Sequence, residues 1–69
     1  MVEVFKTNIQ TADNAQVLRQ AILKTFPETD ISFDLEDCDR ILRIEGRQID
    51  PEGIIRTLAE HGFWSEVLL

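Results

Sequence analysis

The chain has 69 residues, of which 43% are hydrophobic and 29% charged, and its formal net charge is −6. A chain of this length builds one small core, so we expect a single domain spanning residues 1–69. The excess of acids argues against a nucleic-acid partner, because binding phosphates requires a basic surface. No apolar run approaches the ~18 residues of a membrane span, and the first residues lack the pattern of a secretory signal. We therefore expect a cytoplasmic protein with no membrane partner.

The first third of the chain predicts a strand and then a helix. Residues 2–6 form a short β-branched and aromatic run, which is typical of a strand. Thr11, Asp13 and Asn14 are all possible N-caps, because each side-chain oxygen can accept from the unpaired N–H groups of a first turn. Pro27 ends the helix, since the residue before a proline avoids the α region. The expected stripe of this helix consists of Leu18, Ile22 and Thr25, with Val17 and Ala21 beside it.

The remaining residues predict two strands, a helix and a last strand. Residues 31–36 alternate apolar and polar side chains, and residues 41–45 return as a second strand after an acidic turn. Asp50-Pro51-Glu52 is typical of a helix start, with Asp as the N-cap and Pro in the first turn. Gly62 is placed to end this helix in a left-handed conformation, and residues 63–69 form the last strand.

This order of elements predicts an α+β fold. The sequence of strands and helices is β-α-β-β-α-β, and connections of a strand to a strand through a helix are right-handed. Two such units that share a central hairpin form a ferredoxin-like sandwich. We therefore expect a four-stranded antiparallel sheet with both helices on one face.

Large apolar residues are expected on the sheet face that the helices leave open. Neighbouring strand residues point to opposite faces, so adjacent apolar pairs leave one member outside the core. The predicted interface residues are Val4, Phe5, Ile41, Trp64 and Leu68. Tryptophan is frequent among residues that anchor interfaces, which favours a protein partner or a homodimer. The alternative is that these are ordinary single exposed hydrophobic residues.

Few residues of the chain can carry chemistry. Cys38 is the only cysteine, and Asp37 and Asp39 flank it, which makes a weak candidate for a metal site. His61, the only histidine, is expected to cap the last turn of the second helix. One histidine and one cysteine give no catalytic constellation, so we predict no catalytic residues and no cofactor. The chain is not expected to be an enzyme.

Four segments of the chain follow the pattern of one known family. Leu18-Arg19-Gln20-Ala21-Ile22 lies in the first helix, and residues 31–36 and 42–46 cover the two central strands. His61-Gly62-Phe63 precedes the last strand. In this order the segments resemble the heavy-metal-associated domain of copper chaperones and metal-transporting ATPases, which has the same β-α-β-β-α-β fold.

The resemblance fails at the motif that binds metal in the family. The family carries a Met-Thr-Cys-x-x-Cys loop between the first strand and the first helix, and here Thr11 and Asn14 occupy the two cysteine positions. Soft Cu(I) is held by thiolates, and hydroxyl or amide oxygens replace them poorly. We therefore expect this degenerate loop to have lost thiol-based metal binding and to cap the helix instead, and no family metal ligand is carried over.

The missing cysteine pair and the apolar residues expected on both faces of the sheet favour a small non-catalytic module that acts through protein contact or self-association. The alternative is binding or trafficking of heavy metals through non-standard ligands, either Cys38 with nearby acids or a pair of Cys38 thiols across a dimer. A small enzyme or a ligand sensor is the third hypothesis, because ferredoxin-like folds support many functions.

Overall fold

The structure, a computed structural model, describes residues 1–68. The elements are β1 (Val2–Thr7), α1 (Ala12–Thr25), β2 (Asp30–Asp34), β3 (Ile41–Glu45), α2 (Pro51–Glu60) and β4 (Ser65–Val67). All strand pairs are antiparallel, and the order across the sheet is β2-β3-β1-β4. The predicted α+β fold is confirmed, and the strand order is compatible with a ferredoxin-like arrangement.

The helix boundaries lie where local chemistry favours them. Of the three predicted N-caps of α1, Thr11 takes the position, and its Oγ1 accepts a hydrogen bond from the N–H of Asn14 at 3.1 Å. The helix ends two residues before Pro27, as predicted. At the start of α2, Pro51 occupies the first turn, and the side chain of Asp50 makes no capping hydrogen bond.

One hydrophobic core lies between the two helices and one face of the sheet. The buried apolar residues are Phe5, Ile9, Ala15, Leu18, Ile22, Ile31, Leu42, Ile44, Ile49, Ile54 and Leu58. The register places Phe5 opposite both Leu42 in β3 and Val67 in β4, so these three side chains share the face that the helices cover. Residues that alternate with them along the strands lie on the open face.

The last strand is shorter than the sequence predicts. β4 covers Ser65–Val67, whereas the prediction ran over residues 63–69. Phe63 and Trp64 precede the strand, because the N–H of Phe63 donates to the carbonyl of Leu58 at 2.9 Å and keeps it close to the end of α2. Leu69 lies outside the described residues.

The buried side of α1 differs from the predicted stripe at its two ends. Ala15, Leu18 and Ile22 are buried, at the spacing of one helical face. Val17 is exposed because it lies about 100° around the helix from Leu18. Thr25 is exposed at the last residue of the helix.

Candidate interaction surface

The open face of the sheet carries apolar and charged side chains side by side. Val4 lies opposite Arg43 of β3, and its carbonyl accepts a hydrogen bond from the N–H of Leu68 at 2.8 Å. The next β1 residue on this face is Lys6, which lies opposite Ile41 on one side and Glu66 on the other. The apolar residues of this face are therefore separated by charges in the middle of the sheet.

The exposed apolar residues concentrate on the β4 side of this face. Trp64 is 48% exposed, Val2 46% and Leu68 36%. Val4 is half-buried and lies next to Leu68 across the β1–β4 pair, whereas the Lys6–Glu66 pair lies between these two residues and Trp64. We call Val2, Val4, Trp64 and Leu68 the β4-side patch. Exposed apolar side chains that collect on one side of a sheet mark a candidate contact site.

One predicted interface residue is wrong. Phe5 is fully buried and faces the helices, so it belongs to the core and cannot contact a partner. In the Val4–Phe5 pair the larger side chain points inward, because the core side of β1 must fill the space between Leu42 and Val67. Ile41 lies on the open face but is half-buried, and Lys6 opposite it separates it from β4.

Trp64 is held by a contact with the end of β1. The main-chain N–H of Trp64 donates to Oδ1 of Asn8 at 2.8 Å, and the main-chain carbonyl of Trp64 accepts from the N–H of Asn8 at 3.3 Å. The turn before it uses Gly62 at φ +86°, a left-handed conformation that glycine adopts without strain. The predicted role of Gly62 is thus confirmed, and the indole is presented from an anchored main chain.

The edge formed by β2 is engaged by side chains from elsewhere in the molecule. Nη1 of Arg19, in α1, donates to the carbonyl of Ile31, and the guanidinium carbon lies 5.6 Å from the centroid of the Phe33 ring. Directly after the strand, Nη1 of Arg40 donates to the carbonyl of Leu35 at 2.9 Å. Two arginines therefore bind the main chain along this edge, which sequence reasoning missed.

At the edge formed by β4, no side chain of residues 1–68 forms a hydrogen bond with the main chain of Ser65 or Val67. Trp64 and Leu68 form main-chain hydrogen bonds with β1, and in an antiparallel strand the paired residues alternate. Ser65 and Val67 therefore direct their N–H and C=O groups away from β1, to the outer edge. No strand among residues 1–68 pairs with β4 on that side. The side-chain Oγ of Ser65 is buried and has no hydrogen-bond partner within the described chain.

The loop before α1 is held by hydrogen bonds to the first turn of the helix and to the main chain of Arg40. Thr11 Oγ1 caps the helix, which confirms the structural role predicted for it, and Asn14 contributes its main-chain N–H. Thr7 Oγ1 accepts from the N–H of Ile9 at 3.2 Å and donates to the carbonyl of Arg40 at 2.7 Å. The available donor atoms at Thr11 and Asn14 are oxygen and nitrogen, which suit a soft cation poorly.

Asp37, Cys38 and Asp39 lie together in the β2–β3 turn. One ligand atom from each lies within 4.8 Å of the others, and Cys38 is exposed. The carboxylates also serve the turn, because Asp37 Oδ1 accepts from the N–H of Asp39 at 2.8 Å. Asp39 Oδ1 lies 3.5 Å from Lys6 Nζ. The structure thus brings the three predicted candidates together but also gives both carboxylates partners in the fold.

His61 caps a helix, and the surface clefts do not bring it together with Cys38. His61 is the C-cap residue of α2, and its Nδ1 lies 2.9 Å from the carbonyl of Thr57, as the predicted capping role requires. The clefts are shallow, and one of about 410 Å³ lies between Phe26 and Gln48 on the outer surface. None of them gathers His61 and Cys38 into one constellation.

Comparisons of the chain with models of protein families, with curated proteins and with solved structures found no match. The functional assignment therefore rests on the surface geometry.

No helix of residues 1–68 combines the length and the apolar character that crossing a membrane requires.

Proposed function

We propose that this chain is a small non-catalytic module that acts by protein contact through the β4 side of its open sheet face. The observation that carries the proposal is the β4-side patch, with Trp64 nearly half exposed on a main chain fixed by Asn8. A flexible surface tryptophan would lose conformational entropy on binding, whereas an anchored one loses less. Large aromatic side chains of this kind supply much of the binding energy at interfaces.

A photo-crosslinking experiment on the full chain tests the proposal. p-Benzoyl-phenylalanine replaces Trp64 in one variant and Val17 in a matched control, because Val17 is similarly exposed but lies on α1. We expect adducts in the native cell from position 64 and none from position 17. Sedimentation velocity over a wide concentration range then separates self-association from binding to another protein. The proposal is wrong if the chain is strictly monomeric and forms adducts equally from both positions, or from neither.

We propose further that the loop before α1 is a degenerate form of the metal loop of the heavy-metal-associated domain. The capping hydrogen bond of Thr11 supports this, because it gives the loop a structural task that needs no metal. The double variant Thr11→Cys/Asn14→Cys tests it by restoring two thiols at the family's spacing. We expect the variant to bind one Cu(I) in native mass spectrometry and the original chain to bind none at that loop. Equal copper binding by both chains would contradict the idea.

A cation site at the β2–β3 turn is the second candidate function. It is favoured by the 4.8 Å clustering of donors from Asp37, Cys38 and Asp39. Titration with Zn(II) and Cu(I), followed by native mass spectrometry, tests it, with Cys38→Ser as the variant and Ser32→Ala as a control on the same hairpin. Binding at micromolar metal that Cys38→Ser abolishes would establish this function. Silence at that concentration removes it.

A further inference from the structure

We infer that β4 binds an extended segment of a partner protein as an added strand, and that the segment carries a basic residue with apolar residues two positions away on each side. This inference rests on the proposed contact function and specifies the chemistry of the partner. The outward N–H and C=O groups of Ser65 and Val67 would form the main-chain hydrogen bonds.

The pattern of the partner follows from the strand that β4 already pairs with. Glu66 lies on the open face of β4, and Trp64 and Leu68 are two positions away from it, just before and just after the strand. In β1, the cross-strand neighbour of Leu68 is Val4 and that of Glu66 is Lys6. Cross-strand neighbours stabilise a sheet when apolar faces apolar and charge faces opposite charge. A strand on the outer side of β4 meets the same three side chains and needs the same complement.

The carboxylate of Glu66 is the group of this pattern that a basic residue of a partner would pair with. Lys6, its cross-strand neighbour, reaches toward the β2–β3 turn, where its Nζ lies 3.5 Å from Asp39. Glu66 is exposed, and no ion pair that includes it forms among residues 1–68. A lysine or arginine opposite Glu66 would therefore gain a pairing that the chain itself does not provide.

A second copy of the chain fits this edge less well. Antiparallel pairing of Ser65 with Val67 of another copy, the register that uses all outward groups of β4, brings two Glu66 carboxylates directly opposite each other. Like charges in that position destabilise a sheet. The net charge of −6 on each copy adds repulsion, whereas it attracts a basic segment.

Synthetic peptides titrated into the intact chain test the inference. The probe is a seven-residue peptide with blocked termini that carries valine, lysine and leucine at alternate positions with threonine between them. One control has glutamate in place of lysine, and another has N-methyl groups along one edge of its main chain. Amide chemical shifts of the chain locate the peptide, and the fluorescence of Trp64, the only tryptophan in a chain without tyrosine, follows binding.

We expect the lysine peptide to shift the amides of residues 64–68 and the glutamate peptide to bind about fivefold more weakly. Glu66→Lys should invert the preference, and Asp34→Lys, the same change at the end of β2, should leave it unaltered. The N-methylated peptide should not bind, because its main-chain donors are blocked. Equal binding of both charge forms, or shifts confined to β2, would overturn the inference.

Two results would contradict the binding of a peptide strand without contradicting the contact function. If these amides shift with the concentration of the chain alone, the occupant is a second copy and the peptide inference is wrong. If position 64 crosslinks to a protein but no peptide binds, the contact function stands and strand addition is wrong. If neither crosslinks nor peptide binding occurs, both proposals fail.

Discussion

The two edges of the sheet belong to one fold but are built in opposite ways. β2 has five residues, one arginine binds its main chain and another binds the main chain directly after it, and acidic residues stand at both of its ends. β4 has three residues, and exposed apolar side chains lie just before and after it. An unpaired strand edge is a template for association, and proteins protect edges with charge, cover or short length. Among residues 1–68, two arginines bind the main chain at the β2 edge, whereas no side chain forms a hydrogen bond with the main chain of Ser65 or Val67 in β4.

The core holds the two edge strands with different strength, and the largest expected effect tests this. Ile31 of β2 is buried, whereas Val67 of β4 is half-buried. Ile31→Ala should lower the free energy of unfolding by about 3 kcal/mol and Val67→Ala by about 1 kcal/mol. Urea denaturation monitored by circular dichroism measures both. Equal losses would mean that β4 is anchored as firmly as β2.

Removing the Arg19 side chain from the β2 edge should leave that edge, like the β4 edge, more open to association. Arg19→Ala loses a charged hydrogen bond to Ile31 and the contact with the Phe33 ring, which together contribute about 1.5 kcal/mol at this half-buried position. We also expect the variant to aggregate faster during thermal unfolding, as light scattering would record. Arg56→Ala, an exposed arginine on α2, is the control and should change neither quantity.

The turn that feeds β4 depends on a left-handed residue. Gly62→Ala places a side chain at φ +86°, although open space surrounds the new Cβ. The cost is therefore conformational, about 1 kcal/mol, and should appear as a lower midpoint in urea. Because the turn positions Trp64, the fluorescence maximum of the folded variant should also shift. An unchanged midpoint would show that the left-handed geometry is not required.

The buried hydroxyl of Ser65 weakens the hold of the core on β4. Its Oγ finds no hydrogen-bond partner within residues 1–68, so it loses hydration without compensation. Ser65→Ala should raise the free energy of unfolding by about 0.5 kcal/mol and slow hydrogen exchange in β4. Ser32→Ala, at an exposed position of β2, should have no effect. A loss of stability in Ser65→Ala would mean that the hydroxyl has a partner in solution.

Replacing Trp64 is expected to have the smallest effect on the free energy of unfolding and the largest effect on binding of the partner. Trp64→Ser should change the free energy of unfolding by less than about 0.5 kcal/mol, because the side chain is largely at the surface. The same variant should lose the partner contact, measured by capture of the partner found in crosslinking. Val17→Ser should retain it. A large drop in stability of Trp64→Ser would mark the indole as a core residue.

Local sequence signals account for most of the fold. Proline after α1, proline at the start of α2 and glycine before β4 each act through their own main-chain geometry, so they predict boundaries without tertiary information. Alternation predicts β2 and β3, but it does not say which of Val4 and Phe5 faces the helices. That choice depends on the space between β3 and β4, which only the assembled core defines.

The candidate site is less predictable than the fold. The sequence predicts that Trp64 and Leu68 are available, but not that Asn8, distant in sequence, fixes the main chain of Trp64. The reach of Arg19 to β2 is also a long-range contact, between a helix and an edge strand. A long cationic side chain on the α1 surface gives no local sign of such a partner, so the contrast between the edges emerges only in three dimensions.

The hydroxyl of Thr7 joins two loops that the sequence places far apart. Oγ1 of Thr7 accepts a hydrogen bond from the N–H of Ile9, before α1, and donates one to the carbonyl of Arg40, after the acidic turn. The main-chain N–H of Thr7 donates to the carbonyl of Asp39. Because both hydrogen bonds depend on the same buried side chain, we expect opening of one loop to favour opening of the other. The two loops should therefore exchange their amide hydrogens as one unit, and Thr7→Val should separate their opening rates.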